Sequence, residues 1–284
     1  MKIKYFIVTI FYVFILLNFN ILAQKSEKNT KDIIQKMLKS ITDVQGLKYN
    51  LKITERGKKG YHFYESSVKL NRKPRQIYLY IKGIEVLWVQ GKNKGKALVD
   101  PYSFPYINLN LDPMGTLMRQ DQHHTLNEMG FDYFGKVIEY VALKYNDKFD
   151  QYFVYEGEER VNNRPCFKIS ITNNEFGFFN YTVGDGESIT SIARKHFVSE
   201  YMIVEKNPKF KDYFDELKKG VIIKVPSLYA KNVILYIDQL YFLPIGVKIY
   251  DDKGLFEEYN YHNVFVNPKF EEGEFTKDYK DYTF

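Results

Sequence analysis

Residues 76–89 read QIYLYIKGIEVLWV and decide the fold class of the chain. β-Branched and aromatic residues fill two short runs, and Gly83 between them is typical of a tight turn, so the stretch predicts an antiparallel hairpin. In the first run Tyr78 and Tyr80 share one face of the strand, because successive side chains of a strand point to opposite faces. The other face carries Ile77, Leu79 and Ile81. Both faces are apolar or aromatic, so the strand is expected to be covered on both sides or to line a pocket.

The same alternation continues on both sides of this hairpin. Further strands are predicted at 47–53, 64–70, 97–99, 107–111, 151–156, 166–171, 232–238, 246–250 and 255–261. Apolar residues at helical spacing predict one helix over 30–44, with Asn29 or Thr30 as its N-cap, and a second over 131–141. Closely spaced strands with short turns describe an antiparallel meander, so the predicted class is α+β with a strongly curved sheet.

The composition indicates a folded chain with a sizeable core. The chain has 284 residues, of which 45% are hydrophobic, and it lacks the low hydrophobicity and high charge of a disordered protein. Its net charge of +6 comes from interspersed charges of both signs, which argues against a nucleic-acid binder with a basic stripe. The single cysteine, Cys166, permits no internal disulfide. The abundance of aromatic residues, 17%, indicates either an apolar binding cavity or a compositional bias.

Residues 1–23 have the pattern of a signal peptide. Lys2 and Lys4 precede an apolar run over 5–17, and Ala23 offers a small residue at the cleavage point. The alternative is an uncleaved N-terminal membrane anchor. We expect the protein to be exported to the periplasm or cell envelope, and to associate with the membrane peripherally at most once the segment is cleaved.

Residues 181–226 interrupt the meander with a different pattern. A short strand ends in a Gly-rich turn at 181–186, and two amphipathic helices follow at 187–197 and 200–206. A closing strand is predicted at 221–226. The predicted order within this segment is therefore β-α-α-β.

This segment resembles the LysM domain, a small carbohydrate-binding module. The residues that match the family pattern, in order, are Tyr181, Val183, Gly186 to Ile189, Ile192, Ala193, Asn207, Pro208, Leu217, Gly220, Ile223, Val225 and Pro226. The resemblance implies that residues 180–228 form a LysM domain inserted in a host domain made of 24–179 and 229–284. Its implied ligand is a glycan that contains N-acetylglucosamine, such as peptidoglycan or a chitin-like chain.

The resemblance also implies where the glycan binds, namely in a shallow groove between two turns. Carried over to this chain, the first wall consists of Gly186, Glu187, Ser188 and Ile189. The second wall consists of Asn207, Pro208 and Lys209, to which we add the neighbouring Phe210. Ser188 is also expected to cap the first helix, and Ile189 to belong to the core of the module.

The segment departs from the family pattern in three places. Glu187 replaces an aspartate, which is a conservative change. Phe197 stands where a glycine usually ends the first helix, so the turn at this point is expected to differ. The stretch between Asn207 and Leu217 is long and charged and lies beside the groove, where it is expected to alter or block ligand binding. The side chains that would fill the groove are Phe210, Tyr213 and Phe214.

The remaining frame is similar to the LolA-like superfamily of periplasmic lipoprotein carriers, and to a related bacterial family of unknown function. The pieces that carry this similarity are Arg72 to Tyr80, Gly83 to Asn93, Leu111 to Pro113, Glu128 to Gly130, Ile237-Asp238, Leu243-Pro244 and Glu258 to Pro268. The similarity implies a curved antiparallel, incomplete β-barrel closed by helices, with an apolar cavity that can hold acyl chains. It does not imply lipoprotein transport.

Three aromatic residues, Tyr78, Tyr80 and Trp88, are the candidates for such a cavity. Trp88 also fits a packing role between layers. Arg75 is a candidate for orienting a lipid head group, and the alternative is an ion-paired surface residue.

The sequence shows no pattern of a catalytic or metal site and implies no cofactor. It contains neither H-E-x-x-H nor G-x-S-x-G. Asp121 with His123 and His124 is a local titratable cluster, for which a third metal ligand is not evident. The expected function is a non-enzymatic cell-envelope protein that binds peptidoglycan through the LysM domain, with a body that binds a lipid, lipoprotein or other apolar ligand. The alternatives are a cell-wall hydrolase targeted by the LysM domain, and use of that domain only as a protein–protein contact.

Overall fold

The computed structural model of the chain describes residues 29–284 except Pro105, Asp121 and Asp212. The signal segment predicted at 1–23 lies outside the described residues, and so does the choice between its cleavage and its retention as an anchor. Within the described part of the chain, no helix combines the length and the apolar character needed to cross a membrane.

Antiparallel strands form the body of the protein. In sequence order the strands of the described chain are β1 (Gly46–Gly57), β2 (Gly60–Asn71), β3 (Gln76–Ile81), β4 (Ile84–Val89), β5 (Ala97–Asp100), β6 (Leu109–Leu111), β7 (Phe153–Val161), β8 (Arg164–Thr172), β9 (Phe178–Thr182), β10 (Ile222–Pro226), β11 (Asn232–Asp238), β12 (Pro244–Asp251) and β13 (Gly254–Val266). Eleven of these described strands make one open sheet in the order β6-β5-β4-β3-β2-β1-β13-β12-β11-β8-β7. At the centre of this sheet, β1 from the first half of the chain pairs with β13 from the second half. The predicted α+β class with a curved antiparallel sheet is confirmed.

Two longer helices pack against each other and share a core with the sheet. The helices of the described chain are α1 (Thr30–Asp43), α2 (Thr116–Arg119), α3 (Asp132–Lys144), α4 (Phe149–Tyr152), α5 (Ile189–His196) and α6 (Glu200–Lys206). Of the two predicted N-cap candidates, Asn29 caps α1, and its Oδ1 accepts hydrogen bonds from the N–H groups of Lys31 (3.0 Å) and Asp32 (3.4 Å). Gly135 lets α3 approach α1 closely, because a Cβ there would lie 3.3 Å from two carbons of Ile41.

The C-terminal segment 267–284 covers part of the outer face of the sheet. Tyr282 stacks on Tyr78 with ring centroids 3.9 Å apart. Thr283 donates its N–H to Glu85 at 2.9 Å and its hydroxyl to Asp100 at 2.7 Å. The predicted two-sided covering of β3 is therefore confirmed around Tyr78.

A second, two-stranded sheet belongs to the segment between β8 and β11. Its strands β9 and β10 are antiparallel, and α5 and α6 lie between them in sequence, which is the predicted β-α-α-β order. The first strand begins at Phe178, slightly earlier than predicted. We call residues 178–226 the β-α-α-β unit. Its buried centre consists of Ile189, Ile192, Ala193, Met202, Ile203, Ile223 and Val225.

Candidate functional site

A cavity of about 100 Å³ lies between the inner face of the large sheet and the segment 122–137. This covering segment consists of a loop, a 3₁₀ turn at 126–128 and the first turns of α3. The apolar and aromatic residues that line the cavity are Leu51, Ile53, Tyr64, Leu79, Ile81, Met129, Phe131, Tyr133, Phe134, Val137, Tyr229, Val247, Ile249, Tyr259 and Tyr261. Such a wall suits an apolar ligand.

Arginine side chains and a glycine turn fix the covering segment. Arg72 and Arg75 both pair with Asp132 at the start of α3, the second at 3.3 Å. Arg75 also donates to two backbone carbonyl oxygens of the segment, at 2.9 and 2.7 Å. Gly130 turns the chain with a φ of +90°, and its N–H donates to the hydroxyl of Tyr49 at 3.2 Å. Of the two roles expected for Arg75, the structure thus shows the ion-paired one, and the side chain holds the covering segment in place.

One end of the cavity is charged. Glu55 of β1 lies directly opposite Glu257 of β13. His123 lies against both, because its backbone N–H donates to Glu55 at 3.2 Å and its Nδ1 is 2.7 Å from Glu257 Oε1. The ring nitrogens of His124 each lie 3.5 Å from a carboxylate oxygen, one of Glu128 and one of Glu257. Three carboxylates and two imidazoles therefore form one network.

The members of this network stabilise one another's charges. Burial alone would raise the pKa of Glu257, but the charge of His124 and hydrogen bonds from both histidines lower it to about 2. Burial has the same effect on Glu128, and the hydrogen bond and charge of His124 lower its pKa to about 2. Burial alone would lower the pKa of His124, yet Glu257 and Glu128 raise it well above its ordinary value. These groups are therefore ionised at neutral pH.

The ionisation states limit what the network can do chemically. A general acid or base works best when its pKa lies near the working pH, whereas Glu128 and Glu257 are held as anions and His124 as a cation. The nearby tyrosines also bind carboxylates, since Tyr229 donates to Glu257 at 3.1 Å and Tyr259 to Glu55 at 3.0 Å. The arrangement suits holding the cavity wall and its cover together.

The sequence singles out His123 and His124 but not their partners Glu55 and Glu257. The signal for Glu55 was its place in the inward alternation of β1. The signal for Glu257 was hidden because the adjacent Phe256 is also buried, at an irregularity of the strand register that interrupts the alternation. Asp121 lies outside the described residues, and among the residues that the structure does describe, no group of three or more His, Cys, Asp or Glu could hold a metal ion.

The three aromatic residues predicted to line a cavity lie outside the walls of this one. Tyr78 and Tyr80 share the outer face of β3, whereas Leu79 and Ile81 on its inner face line the cavity. Tyr78 packs under the C-terminal segment, and Tyr80 is 45% exposed. Trp88 is half-buried against the core and donates its indole N–H to a backbone carbonyl at 3.0 Å, in keeping with its packing role. Period-two alternation separates the two faces but does not say which one meets the helices.

The first wall of the predicted glycan groove follows β9. Gly186 is exposed and has a φ of +66°, in the left-handed region that favours glycine. Glu187 folds back on its own turn, where its carboxylate accepts the hydroxyl of Tyr181 at 2.8 Å. Ser188 caps α5 by accepting a backbone N–H at 3.1 Å, and Ile189 is fully buried, which confirms the predicted cap and core roles. The exposed part of this wall consists of Gly186 and Ser188.

The second predicted wall follows α6. Asn207 is buried and ties α6 to β10, since its side chain donates to the carbonyl oxygen of Lys224 and accepts the N–H of Lys224, both at 2.8 Å. Pro208 and Lys209 are exposed, and Phe210 is half-buried. Asn207 is therefore a structural residue of the turn that presents the others.

Both walls lie at the same end of the small sheet. Thr182, the last residue of β9, is opposite Ile222, the first residue of β10. The turn with Gly186 leaves β9 just after Thr182, and the ammonium group of Lys209 donates to the carbonyl oxygen of Ile222 at 3.3 Å. The side chain of Ile222 is 59% exposed, so this end also offers an apolar surface.

The backbone conformation of Phe197 at the end of α5 differs from the expectation. It ends α5 in the left-handed conformation itself, with φ 52° and ψ 47°, so the prediction that this turn departs from glycine-like geometry is wrong. Left-handed geometry disfavours a residue with a side chain by roughly 1–2 kcal/mol. Packing offsets this strain, because the ring of Phe197 stacks on Tyr140 of α3 with centroids 4.9 Å apart.

The charged stretch after Asn207 contacts the body of the protein. Tyr213 is buried, and its hydroxyl donates to the carbonyl oxygen of Gln122 at 2.8 Å. The guanidinium carbon of Arg119 lies 4.4 Å from the ring centroid of Tyr213 and 5.6 Å from that of Phe214. Of the three aromatic residues expected to fill the groove, Tyr213 and Phe214 are thus engaged with the body.

Two ion pairs, of which the second is fully buried, join the β-α-α-β unit to the covering segment and its surroundings. Arg194 of α5 pairs with Glu128 of the covering segment, and its guanidinium lies 4.8 Å from the ring centroid of Tyr133. Arg119 of α2 pairs with Glu200 of α6, and the two side chains are 1% and 3% exposed. Glu128 therefore links the unit directly to the charged end of the cavity.

Comparison with protein families finds one match. Residues 44–176 match the model of a family described as a protein of unknown function (DUF1571). This is under half of the chain and lies within the predicted host domain, where it agrees with the predicted similarity to a family of unknown function. No curated protein matches the chain.

Solved structures of low similarity cover most of the chain. The MucA/MucB complex of Pseudomonas aeruginosa is 10% identical with a TM-score of 0.40, over 87% of this chain and 60% of that one. The lipoprotein LppX of Mycobacterium tuberculosis is 10% identical with a TM-score of 0.41, over 87% and 99%. A LolA superfamily protein of Nitrosomonas europaea is 11% identical with a TM-score of 0.30, over 88% and 98%. The chain thus spans about 60% of the length of the first of these. Likenesses at this level do not assign a function.

Proposed function

We propose that the protein is an exported, non-enzymatic cell-envelope protein whose body binds one apolar chain of a lipid or lipoprotein. The observation that carries this proposal is the cavity, whose walls are apolar on both the sheet and the covering segment. Its volume of about 100 Å³ is below the 300–1,000 Å³ of pockets that enclose a whole small molecule, so it suits part of a chain. Ile53, Tyr64 and Ile81 line it and remain half-exposed, which marks the side where the rest of a chain would leave.

A bulky residue in the cavity wall is expected to weaken this binding. Val247 is 3% exposed and lines the cavity, so Val247→Phe fills space that a ligand would occupy. The purified chain is titrated with N-phenyl-1-naphthylamine, an uncharged apolar dye, and its fluorescence is followed. We expect the unchanged protein to bind the dye saturably. In Val247→Phe the dissociation constant should rise at least about tenfold, because losing one apolar contact with the dye costs roughly 1.4 kcal/mol.

The matched control is Val154→Phe, because Val154 is 43% exposed on β7 and lies away from the cavity. This variant should bind the dye like the unchanged protein. Cooperative thermal unfolding of both variants shows that they fold. Absence of saturable dye binding by the unchanged protein would contradict the proposed function.

We further propose that residues 180–228 are a LysM domain, inserted in a host domain of 24–179 and 229–284, and that it binds the N-acetylglucosamine-containing glycan of peptidoglycan. Support comes from the two turns at one end of the small sheet, with Gly186 and Pro208 exposed. Glycine backbone and the exposed Ile222 suit close contact with the faces of a sugar ring. The hydrolase alternative has less support, because the buried acids are held as ionised, paired groups.

An acidic residue at this end of the small sheet is expected to weaken glycan binding. The protein is sedimented with insoluble peptidoglycan, and bound and free fractions are measured for Ile222→Glu. We expect the unchanged protein to sediment and the apparent affinity of Ile222→Glu to fall about tenfold, which is the effect of losing one apolar contact. Phe265→Glu is the control, because Phe265 is equally exposed, at 60%, on β13.

Two outcomes would contradict this second proposal. If the unchanged protein stays in the supernatant, the proposed binding of peptidoglycan is overturned. If Ile222→Glu sediments like the unchanged protein, the glycan binds elsewhere on the chain.

A further inference from the structure

Ser66 is a buried polar residue in the apolar wall of the cavity. It is 3% exposed and lies on the inner face of β2, opposite Leu51 on one side and Ile81 on the other. Ser66 is one of the residues that line the cavity, and its buried hydroxyl has no hydrogen-bond partner within the described chain. A buried hydroxyl without a partner is unfavourable, so the position points to a ligand that supplies one.

The adjacent Ser67 shows the contrast. It lies on the opposite face of β2, and its hydroxyl accepts a hydrogen bond from the side-chain amide of Asn50 at 2.8 Å. On the face of β2 that points away from the cavity, a serine hydroxyl thus finds a hydrogen-bond partner on the neighbouring strand. Of these two neighbouring serines, only Ser66, on the cavity side of the strand, has a hydroxyl without a hydrogen-bond partner.

The charged end of the cavity disfavours an anionic ligand group. The carboxylates of Glu55, Glu128 and Glu257 line it, together with the single imidazole of His124. His124 is already engaged, since it lies 3.5 Å from both Glu128 and Glu257. None of the described residues that line the cavity is a lysine or an arginine. A carboxylate or phosphate that entered would be away from water and would find no unpaired cation among the described groups at this end, because His123, His124 and Arg194 already pair with the carboxylates.

We propose that the cavity selects an uncharged lipid whose ester carbonyl or hydroxyl oxygen forms a hydrogen bond with the Ser66 hydroxyl. This inference rests on the proposed binding of an apolar chain. Leu51 and Ile81 contact the carbons on either side of the bonded oxygen. The buried carboxylates, whose cations are already paired with them, disfavour free fatty acids and the phosphate groups of phospholipids.

Three probes with the same chain length test this selection: methyl octanoate, octanoate and octane. Binding to the purified chain is followed by backbone amide chemical shifts at about pH 7.5, where octanoate is ionised. We expect methyl octanoate to bind at least about tenfold more tightly than octanoate. Ser66→Ala is expected to weaken binding of methyl octanoate roughly three- to tenfold and to leave octane unchanged. The same change should raise the Tm of the ligand-free protein, because it removes the unpaired hydroxyl.

The outcomes separate this inference from the proposed function. Ser67→Ala is the control and should keep the preference for the ester. If neither octane nor methyl octanoate binds, the proposed chain-binding function is overturned. If the chains bind but octanoate binds as tightly as the ester, or Ser66→Ala leaves ester binding unchanged, the inference is overturned and chain binding stands.

Discussion

Glu257→Gln is expected to lower the free energy of unfolding by about 3–5 kcal/mol, the range for breaking a buried ion pair. The side chain of Glu257 is 0% exposed and is the anion that His123 and His124 share. Its loss leaves the buried imidazole of His123 and the half-buried imidazole of His124 beside fewer negative charges. Urea unfolding measures the effect. Glu258→Gln is the matched control, because Glu258 is half-exposed and pairs with Lys248 at 3.3 Å near the surface, where a pair contributes about 0–1 kcal/mol.

The same pairs make stability depend on pH, and the sign follows from the direction of each shift. Glu257 and Glu128 have pKa values of about 2 against an ordinary 4.5, so their contribution is present above about pH 4.5 and is lost as the pH falls toward 2. His124 has a pKa raised above 6.5, so its contribution is present below that pH and is lost as the pH rises through the raised value. Glu257→Gln should flatten both limbs of the profile. An unchanged profile in this variant would show that the network does not act as described.

Arg119→Met is expected to loosen the β-α-α-β unit from the body and to lower the free energy of unfolding by about 3 kcal/mol. Arg119 and its partner Glu200 are both buried, so removal of the cation leaves a buried carboxylate. Arg194 lies 3.4 Å from Glu200 and compensates in part, which places the effect at the lower end of the range for a buried pair. Hydrogen exchange of α6 and of the covering segment, together with urea unfolding, measures the effect.

A second variant separates the ion pair from simple loss of packing. Arg119→Met combined with Glu200→Leu removes both charges, and it should recover most of the stability because no charge stays buried alone. Lys219→Met is the surface control, since Lys219 is 72% exposed and 4.0 Å from Asp185. Equal instability of the single and double variants would assign the effect to packing of the Arg119 side chain on Tyr213.

The local pattern of the sequence predicted the elements well. The N-cap at Asn29, the hairpin over 76–89 and the β-α-α-β order all depend on neighbours along the chain, and the structure contains each of them. Ser188 and Ile189 were placed correctly for the same reason, because a cap and a buried helix face follow from local spacing.

The charged end of the cavity could not be predicted in the same way. Glu55 and Glu257 are brought together by the pairing of two strands from opposite halves of the chain, and no local pattern encodes that partnership. Tyr78 is a cavity candidate in the sequence but lies on the outer face of its strand, because both faces are apolar or aromatic and the pattern does not say which one meets the helices. Phe197 was misjudged because the ring that supports its backbone, Tyr140, belongs to a distant helix.

The central strand pair has a consequence for the order in which the protein can fold. Leu47 pairs with Val266, so β1 finds its second neighbour in the last strand of the sheet to be synthesised. Closing so long a loop loses chain entropy before the contact stabilises anything, and topologies of this kind fold slowly. The first six strands can form a meander early, but the middle of the sheet stays unfinished until translation has passed β13. A chain built in this way remains incompletely folded during synthesis, which is the state in which a polypeptide can still be threaded through a translocation channel.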